Sequence, residues 1–534
     1  MTASRYRVLV TDEVDPEGIA ILRSAPQLEV VERPTLPASE LLEEISEYDG
    51  LVGRSATRIS SELLNRATRL RVVGRAGVGV DNVDLERATE LGIAVINAPG
   101  GNIVSVAELT FGVLLSILRH VHEASRSMSA GEWRRSALGG TELRGRTFAI
   151  IGLGRIGSEV ARRARGFGVK LIGFDPFVSE ARFEELGVER APSLEELLTR
   201  ADIVTLHVPL TVQTSGMIGA AELALLRRQA IVLNLARGGI VDESALAEAL
   251  SNGRIAAAGL DVFSQEPLPG DHPLRSVPNL ILTPHLGAST SEAQKSVSLE
   301  ACAAVRDALV SGDLSAALNA AGVGGAGWGE MRGLLDLAER LGRLGNALLP
   351  GGLDSMELRY SGPRGEAPRP LLLAALQGAL RDVVDRRAIN LVNAQHVATQ
   401  RGIETAFTHV ASQHDMGEEI EIRLECGDRH IRISGALLGE SHGRITRIGP
   451  YRVDIAPRGT LVVLRNRDVP GVIGRVGTLL GDAGVNIAEY HQARLRAGGE
   501  ALAAVSVDSR MSSEVCAALG ELPEIIDVSQ VQMD

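Results

Sequence analysis

The segment 147–175 constrains this chain more than any other. An apolar run, Thr147–Ile151, leads into Gly152-Leu-Gly154-Arg-Ile-Gly157. A helix is expected over Ser158–Arg165, and a second apolar run ends at Asp175, 18 residues after Gly157. Glycines at this spacing answer three separate demands. The first permits a tight turn, the second lets backbone approach a pyrophosphate, and the third lets helix and strand pack closely. The helix N-terminus then turns unsatisfied N–H groups and a positive dipole end toward phosphate. An acid at the end of the next strand accepts hydrogen bonds from ribose hydroxyls and repels a 2′-phosphate, so NAD is favoured over NADP. The pattern calls for a doubly wound parallel sheet with a dinucleotide at its edge.

The rest of the chain extends that alternation. Further strands are expected at Val169–Phe174, Ile203–Val208, Ile231–Leu235, Ala256–Val262 and Leu280–Thr283. An earlier series has strands at Arg7–Val10, Gly50–Arg54 and Arg71–Gly74 and a helix at Pro16–Ser24. Repeated βα units of this kind build parallel sheets, so two Rossmann-like α/β domains are expected. A helix is expected to begin at Ser105, with Ser105 and Glu108 as its capping box, and a long helix to cover 289–310. Residues 319–329, NAAGVGGAGWG, have the composition of a linker. Beyond it, 330–458 mixes helices with strands such as Glu419–Cys426 and His430–Leu437. Residues 460–534 read strand, helix, strand, strand, helix, strand, the βαββαβ order of a ferredoxin-like module. The length of 534 residues fits three or four domains at about 150 residues each.

Composition excludes several classes. The net charge of −12 argues against a broad nucleic-acid or anionic-membrane surface, so an anionic ligand has to be met by local arginine clusters. Aromatics make up only 3%, which leaves the cores to Ala, Val, Leu and Ile. Cys302, Cys426 and Cys516 form no CxxC pair, so neither a disulfide framework nor a metal site is expected. The N-terminus has no signal-peptide core, and the longest apolar stretch, Leu109–Leu118, is too short to span a bilayer; a cytoplasmic location is expected.

Three residues outside the glycine turn carry chemistry. Arg237 follows a strand in Asn234-Leu-Ala-Arg-Gly-Gly, Glu266 follows one in Asp261-Val-Phe-Ser-Gln-Glu-Pro, and His285 follows one in Thr283-Pro-His-Leu-Gly-Ala. Ligands of doubly wound sheets bind outside the carboxyl ends of strands, where all three fall. Oxidation of a secondary alcohol needs a base near neutrality for the hydroxyl proton, which His285 supplies. Glu266 is placed to orient the imidazole. Arg237 is placed to hold an α-carboxylate and to polarise the carbonyl oxygen in the reverse direction.

The segments GLGRIG, NLARGGIVDE, GLDVFSQEP and TPHLGAST resemble the D-isomer-specific 2-hydroxyacid dehydrogenase family over roughly residues 5–318. The resemblance implies a discontinuous substrate domain, 1–98 with 288–318, around an NAD domain at 99–287, with Arg237, Glu266 and His285 catalytic. It implies dinucleotide contacts from Gly152, Gly154, Arg155, Ile156, Gly157, Asp175, Val208, Pro209, Ala236, Asp261, Gly287 and Ala288.

The choice of hydroxy acid rests on cations and on the tail. A phosphorylated substrate needs arginines, and Arg54 and Arg75, ending strands, match substrate-contacting positions of the family members that act on 3-phosphoglycerate. Ser55 and Asn102 lie beside such positions. Trp133, Arg134 and Arg135 resemble a segment that reaches a neighbouring subunit's active site, which implies a homo-oligomer, dimer or tetramer. Residues 325–458 resemble an intervening domain of the long members. Residues 459–534 resemble an ACT domain in which Asn466, Asp468 and Asn486 hold an L-serine effector across a two-fold axis. The expected activity is NAD-dependent oxidation of 3-phospho-D-glycerate in serine synthesis. Its rivals are a hydroxypyruvate or glyoxylate reductase of the same family and a catalytically inactive NAD-sensing corepressor.

Overall fold

The computed structural model describes residues 5–533 apart from 35, 350, 384–388, 412–416 and 440–441. The first sheet has five parallel strands in the order Leu28–Arg33, Tyr6–Thr11, Gly50–Gly53, Val72–Arg75, Ala94–Asn97. Strand alternation sends Leu9, Leu51, Val73 and Val95 to one face and Val8, Val10, Val52 and Val72 to the other. That second face is covered by the helix Pro16–Arg23 and by the long helix Ser291–Ser311, which returns from later in the chain to bury Cys302, Val305 and Leu309 there. The first of these helices starts where it does because Pro16 fits the first turn and the Asp15 side chain accepts from the Glu17 amide.

The second sheet has seven parallel strands in the order Leu280–Leu282, Ala257–Leu260, Ile231–Asn234, Ile203–Leu206, Thr147–Ile151, Lys170–Phe174, Glu189–Arg190. The winding reverses between Ile203–Leu206 and Thr147–Ile151, so the glycine turn after Ile151 stands at the crevice such a reversal opens.

Two further sheets follow. One runs Glu404–Ala411, Ser355–Gly362, Glu418–Cys426, Arg429–Leu438, His442–Ile448, Tyr451–Ile455, parallel at its first pair and antiparallel after, under helices Arg332–Leu348 and Pro368–Leu380. The last is antiparallel in the order Ile487–Arg494, Glu500–Val507, Thr460–Arg467, Ile525–Gln532, the strand order of a ferredoxin-like module. Its helices cover Val462 and Leu464 on one face, while Leu461, Val463, Leu502 and Ala504 on the other join the core of the preceding unit.

Three local expectations are corrected. The helix after the fingerprint starts at Arg155, not Ser158, because Gly154 itself is its N-cap. The helix expected to begin at the Ser105–Glu108 capping box is Ile103–Leu118, with Asn102 at its N-cap; Ser105 is buried inside it and Glu108 faces Arg163 instead. Entry is set by packing, since a Cβ built on Gly101 would lie 2.7 Å from the Val297 nitrogen. The stretch 319–329 is no free linker. Val323 and Trp328 are buried, the Leu318 amide donates to the Val95 carbonyl, and Asn319 bonds the Ile93 carbonyl. A second seam joins the same two units: Asn390 and Asn393 donate to the Gly92 and Glu90 carbonyls at 2.7 and 3.1 Å. No single described helix is long and apolar enough to cross a membrane.

Candidate active site

Thr147–Ile151 delivers the chain to Gly152 at a φ of 89°, which a side chain rarely adopts. A Cβ on Gly152 would lie 2.6 Å from the His207 carbonyl oxygen, and one on Gly157 would lie 1.9 Å from the Gly152 carbonyl oxygen. A Cβ on Gly154 would meet nothing, so the space beside the helix N-terminus is open where a pyrophosphate belongs. Arg155 is exposed there and Ile156 half-buried. Asp175 accepts from the Leu153 amide at 2.8 Å and the Phe177 amide at 2.9 Å, which fixes its carboxylate at the mouth of the turn. These residues fit a dinucleotide.

The remaining expected contacts line the same edge in different ways. Val208 packs over Gly152, and the Pro209 carbonyl accepts from Thr214. Ala236 is held by Asn234. Asp261 is fully buried, and its oxygens accept from the Thr283 hydroxyl (2.6 Å) and the Leu286 and Gly287 amides (2.7 and 2.8 Å). Asp261 therefore builds the turn carrying His285, while the Ala288 carbonyl accepts from Gln294. His207 is core-side: its Nε2 meets the Thr205 hydroxyl, and burial pushes its pKa down to about 3.

At that turn His285 Nδ1–H donates to Glu266 Oε2 at 2.7 Å, and Glu266 Oε1 accepts from the Phe263 amide at 3.0 Å. The bond to Glu266 raises the His285 pKa against the opposing effect of burial. Burial alone would raise Glu266, but the bonds from His285 and Phe263 outweigh it and hold the carboxyl below its usual range. With Nδ1 committed, Nε2 is left as the acceptor. Arg237 lies close enough for its charge to act on both partners.

The five-stranded sheet supplies the opposite wall. Arg75 is lowered to about 10 by burial and then by the charges of Arg237 and Arg54. Its Nε and the Asn102 Oδ1 are buried with no hydrogen-bond partner among the described residues. Three guanidinium groups, one with an unmet Nε–H donor, make a concentrated site for an anion, while the Asn102 Oδ1 can only accept from a hydroxyl or N–H. Ser55 is exposed next to Arg54. Trp133, 79% exposed, and Arg135 lie on a separate surface segment, and Arg134 faces Glu123 there; no described contact joins them to this cluster.

Supporting residues escaped the sequence reading. Asp12 accepts from the Arg54 amide at 2.6 Å and Asn82 donates to the Arg54 carbonyl at 2.9 Å. Asp12 had the same signal as Arg54, a polar residue closing an apolar strand. In the last sheet, Asn466 is buried, Asp468 accepts from Gly498 and Arg494, and Asn486 donates to Asp508. The register puts Asp468 beyond the Arg467–Glu500 pair and Asn486 beyond the Ile487–Val507 pair, at opposite ends of the module. Strands of eight residues separate them by about 25 Å within one chain.

Comparisons with known proteins agree with this geometry. Residues 111–287 match the model of the D-isomer specific 2-hydroxyacid dehydrogenase NAD binding domain, and 330–449 that of the D-3-phosphoglycerate dehydrogenase intervening domain. A D-3-phosphoglycerate dehydrogenase of Methanocaldococcus jannaschii is 40% identical over 99% of this chain and 100% of its own length. One from Bacillus subtilis is 38% identical over the same shares. A solved glyoxylate reductase from Paecilomyes thermophila superposes with a TM-score of 0.55 at 30% identity, covering 59% of this chain and 99% of its own. The chain belongs to the D-isomer-specific 2-hydroxyacid dehydrogenase family and is an NAD-dependent oxidoreductase. Relatives that match it over nearly its whole length include D-3-phosphoglycerate dehydrogenases.

Proposed function

We propose that the protein oxidises 3-phospho-D-glycerate to 3-phosphohydroxypyruvate with NAD, the first step of serine synthesis. The observation that carries this reading is the Arg54–Arg75–Arg237 cluster beside the Glu266–His285 pair, in a chain whose net charge is −12. A substrate with a carboxylate at one end and a phosphate at the other needs cations for both and a base for the hydroxyl between them. His285 Nε2 takes the C2 hydroxyl proton, and Glu266 stabilises the imidazolium that results. Arg237 holds the α-carboxylate; Arg54 and Arg75, with Ser55 and Asn102 beside them, take the phosphate. The turn 152–157 and Asp175 would hold NAD, which when bound would supply the acceptor for the hydride that leaves C2.

The same reading divides the chain into a substrate domain (1–98 with 288–318), an NAD domain (99–287), an intervening domain (325–458) and an ACT domain (459–534) in a cytoplasmic homo-oligomer. Trp133, Arg134 and Arg135 reach an active site only in a neighbouring copy. L-serine is the effector, and Asp468 and Asn486 hold it together only if they come from two copies, as their separation within one chain requires.

The test is steady-state turnover with NAD on 3-phosphoglycerate and on unphosphorylated D-glycerate. The expected result is a kcat/KM at least about 100-fold higher for the phosphorylated acid, the order a lost charged contact commands. Preference for glycerate would replace the reading with a hydroxypyruvate or glyoxylate reductase.

A further inference from the structure

Arg237 meets a second carboxylate, and this one comes from across the cleft. Its Nε lies 3.1 Å from Asp81 Oδ2. Asp81 sits in the loop after Val72–Arg75 of the five-stranded sheet, whereas Arg237 follows Ile231–Asn234 of the seven-stranded sheet. Two other contacts complete the setting of the guanidinium. Nη1 donates to the Ala236 carbonyl at 2.7 Å, and Nη2 lies over Gly79, where an added Cβ would fall 2.1 Å from it. The Asp81 side chain is 69% exposed, so it stands at the rim, and among the described residues its one ion pair is with Arg237.

We propose that Asp81 is a positioning residue for Arg237, turning the free Nη2 edge of the guanidinium toward the substrate carboxylate and doing so only when the two sheets close on each other. This rests on the reading of Arg237 as the carboxylate ligand. Asp81 touches neither the glycine turn nor His285, so its influence falls on substrate capture and leaves the dinucleotide alone. The contact takes up the Nε edge, which lysine lacks, so the effect of Asp81 depends on an arginine at 237.

The test is a double-mutant cycle on the full-length enzyme, using Asp81→Asn, Arg237→Lys and both together in NAD-linked oxidation of 3-phosphoglycerate. Asp81→Asn is expected to lower kcat/KM roughly tenfold, chiefly through KM, and to leave the Kd for NAD within twofold. Asp81→Glu recovers most of the loss. In the Arg237→Lys background, Asp81→Asn adds less than about twofold. If turnover of the lysine variant falls below detection, the same cycle is read as the Kd for 3-phosphoglycerate of the NADH-loaded enzyme, which cannot react. Asp81→Asn within twofold of the parent, or effects of the two substitutions that multiply, would overturn the proposal while leaving Arg237 in place. An Arg237→Lys variant with unchanged kcat/KM and unchanged affinity would remove the carboxylate reading, and the role of Asp81 with it.

Discussion

Replacing Glu266 by Gln keeps the shape at His285 and removes one charge, so the consequence can be worked out. Two unit charges about 4 Å apart attract by about 4 kcal/mol at an effective dielectric of 20 and by about 1 kcal/mol in water. The His285 and Glu266 side chains are 49% and 35% exposed, which puts the pair toward the lower bound, about 1–2 kcal/mol. That corresponds to roughly one pH unit of stabilised imidazolium. The sign follows from the chemistry. Glu266 raises the His285 pKa, oxidation needs the imidazole neutral, and kcat/KM for oxidation therefore climbs as pH rises through that raised value. With glutamine at 266, the rising limb moves about one unit toward acid, and the plateau falls because the imidazolium formed in the reaction has lost its counter-ion. The assay is the pH profile of kcat/KM for NAD-linked oxidation of 3-phosphoglycerate by both enzymes. A limb that stays in place, or moves toward alkali, refutes the assignment of His285 as the proton acceptor paired with Glu266.

Three further outcomes are expected. His285→Ala should lower kcat by about 100- to 10,000-fold while NAD titrations by fluorescence stay within about twofold. Gly157→Ala forces a methyl to 1.9 Å from the Gly152 carbonyl oxygen, so NAD affinity should collapse and chemical denaturation should register a loss of about 1–3 kcal/mol. Trp328→Ala empties a buried site in a segment that reads as a linker, and should cost about 3–5 kcal/mol in the same denaturation experiment, where a free linker would give no change.

What could be read in the sequence was what depends on local pattern. Thr147–Ile151 has the bounds its apolar run predicts, and the closing βαββαβ order is visible as alternation of strand and helix signals. Arg237, Glu266 and His285 stood out because each closes an apolar strand, and the structure brings their charges together. Long-range contacts overrode the rest. Ser105 and Glu108 have capping-box spacing, but the packing of Gly101 against Val297 starts the helix two residues earlier. Gly-rich composition reads as a tether because it cannot register that Val323 and Trp328 are covered by residues distant in sequence. Asp81 has no signature in the sequence, because an exposed acid in a loop carries no pattern and its partner is 156 positions away.

The packed connection at 319–329 and the Asn390–Asn393 bonds to Gly92 and Glu90 bear on how such a chain is assembled from parts. A polypeptide ending near residue 318 would leave the Glu90, Gly92 and Ile93 carbonyls, at the end of the helix Leu85–Glu90 and in the turn leading into the strand Ala94–Asn97, without their side-chain amide partners and the apolar seam around Val323 open to water. The solved glyoxylate reductase matches 59% of this chain and nearly all of itself, so the catalytic half exists as a free-standing protein elsewhere. Here the C-terminal half is mortised into the catalytic half rather than hung from it, and adding or removing it means recutting a surface on both pieces.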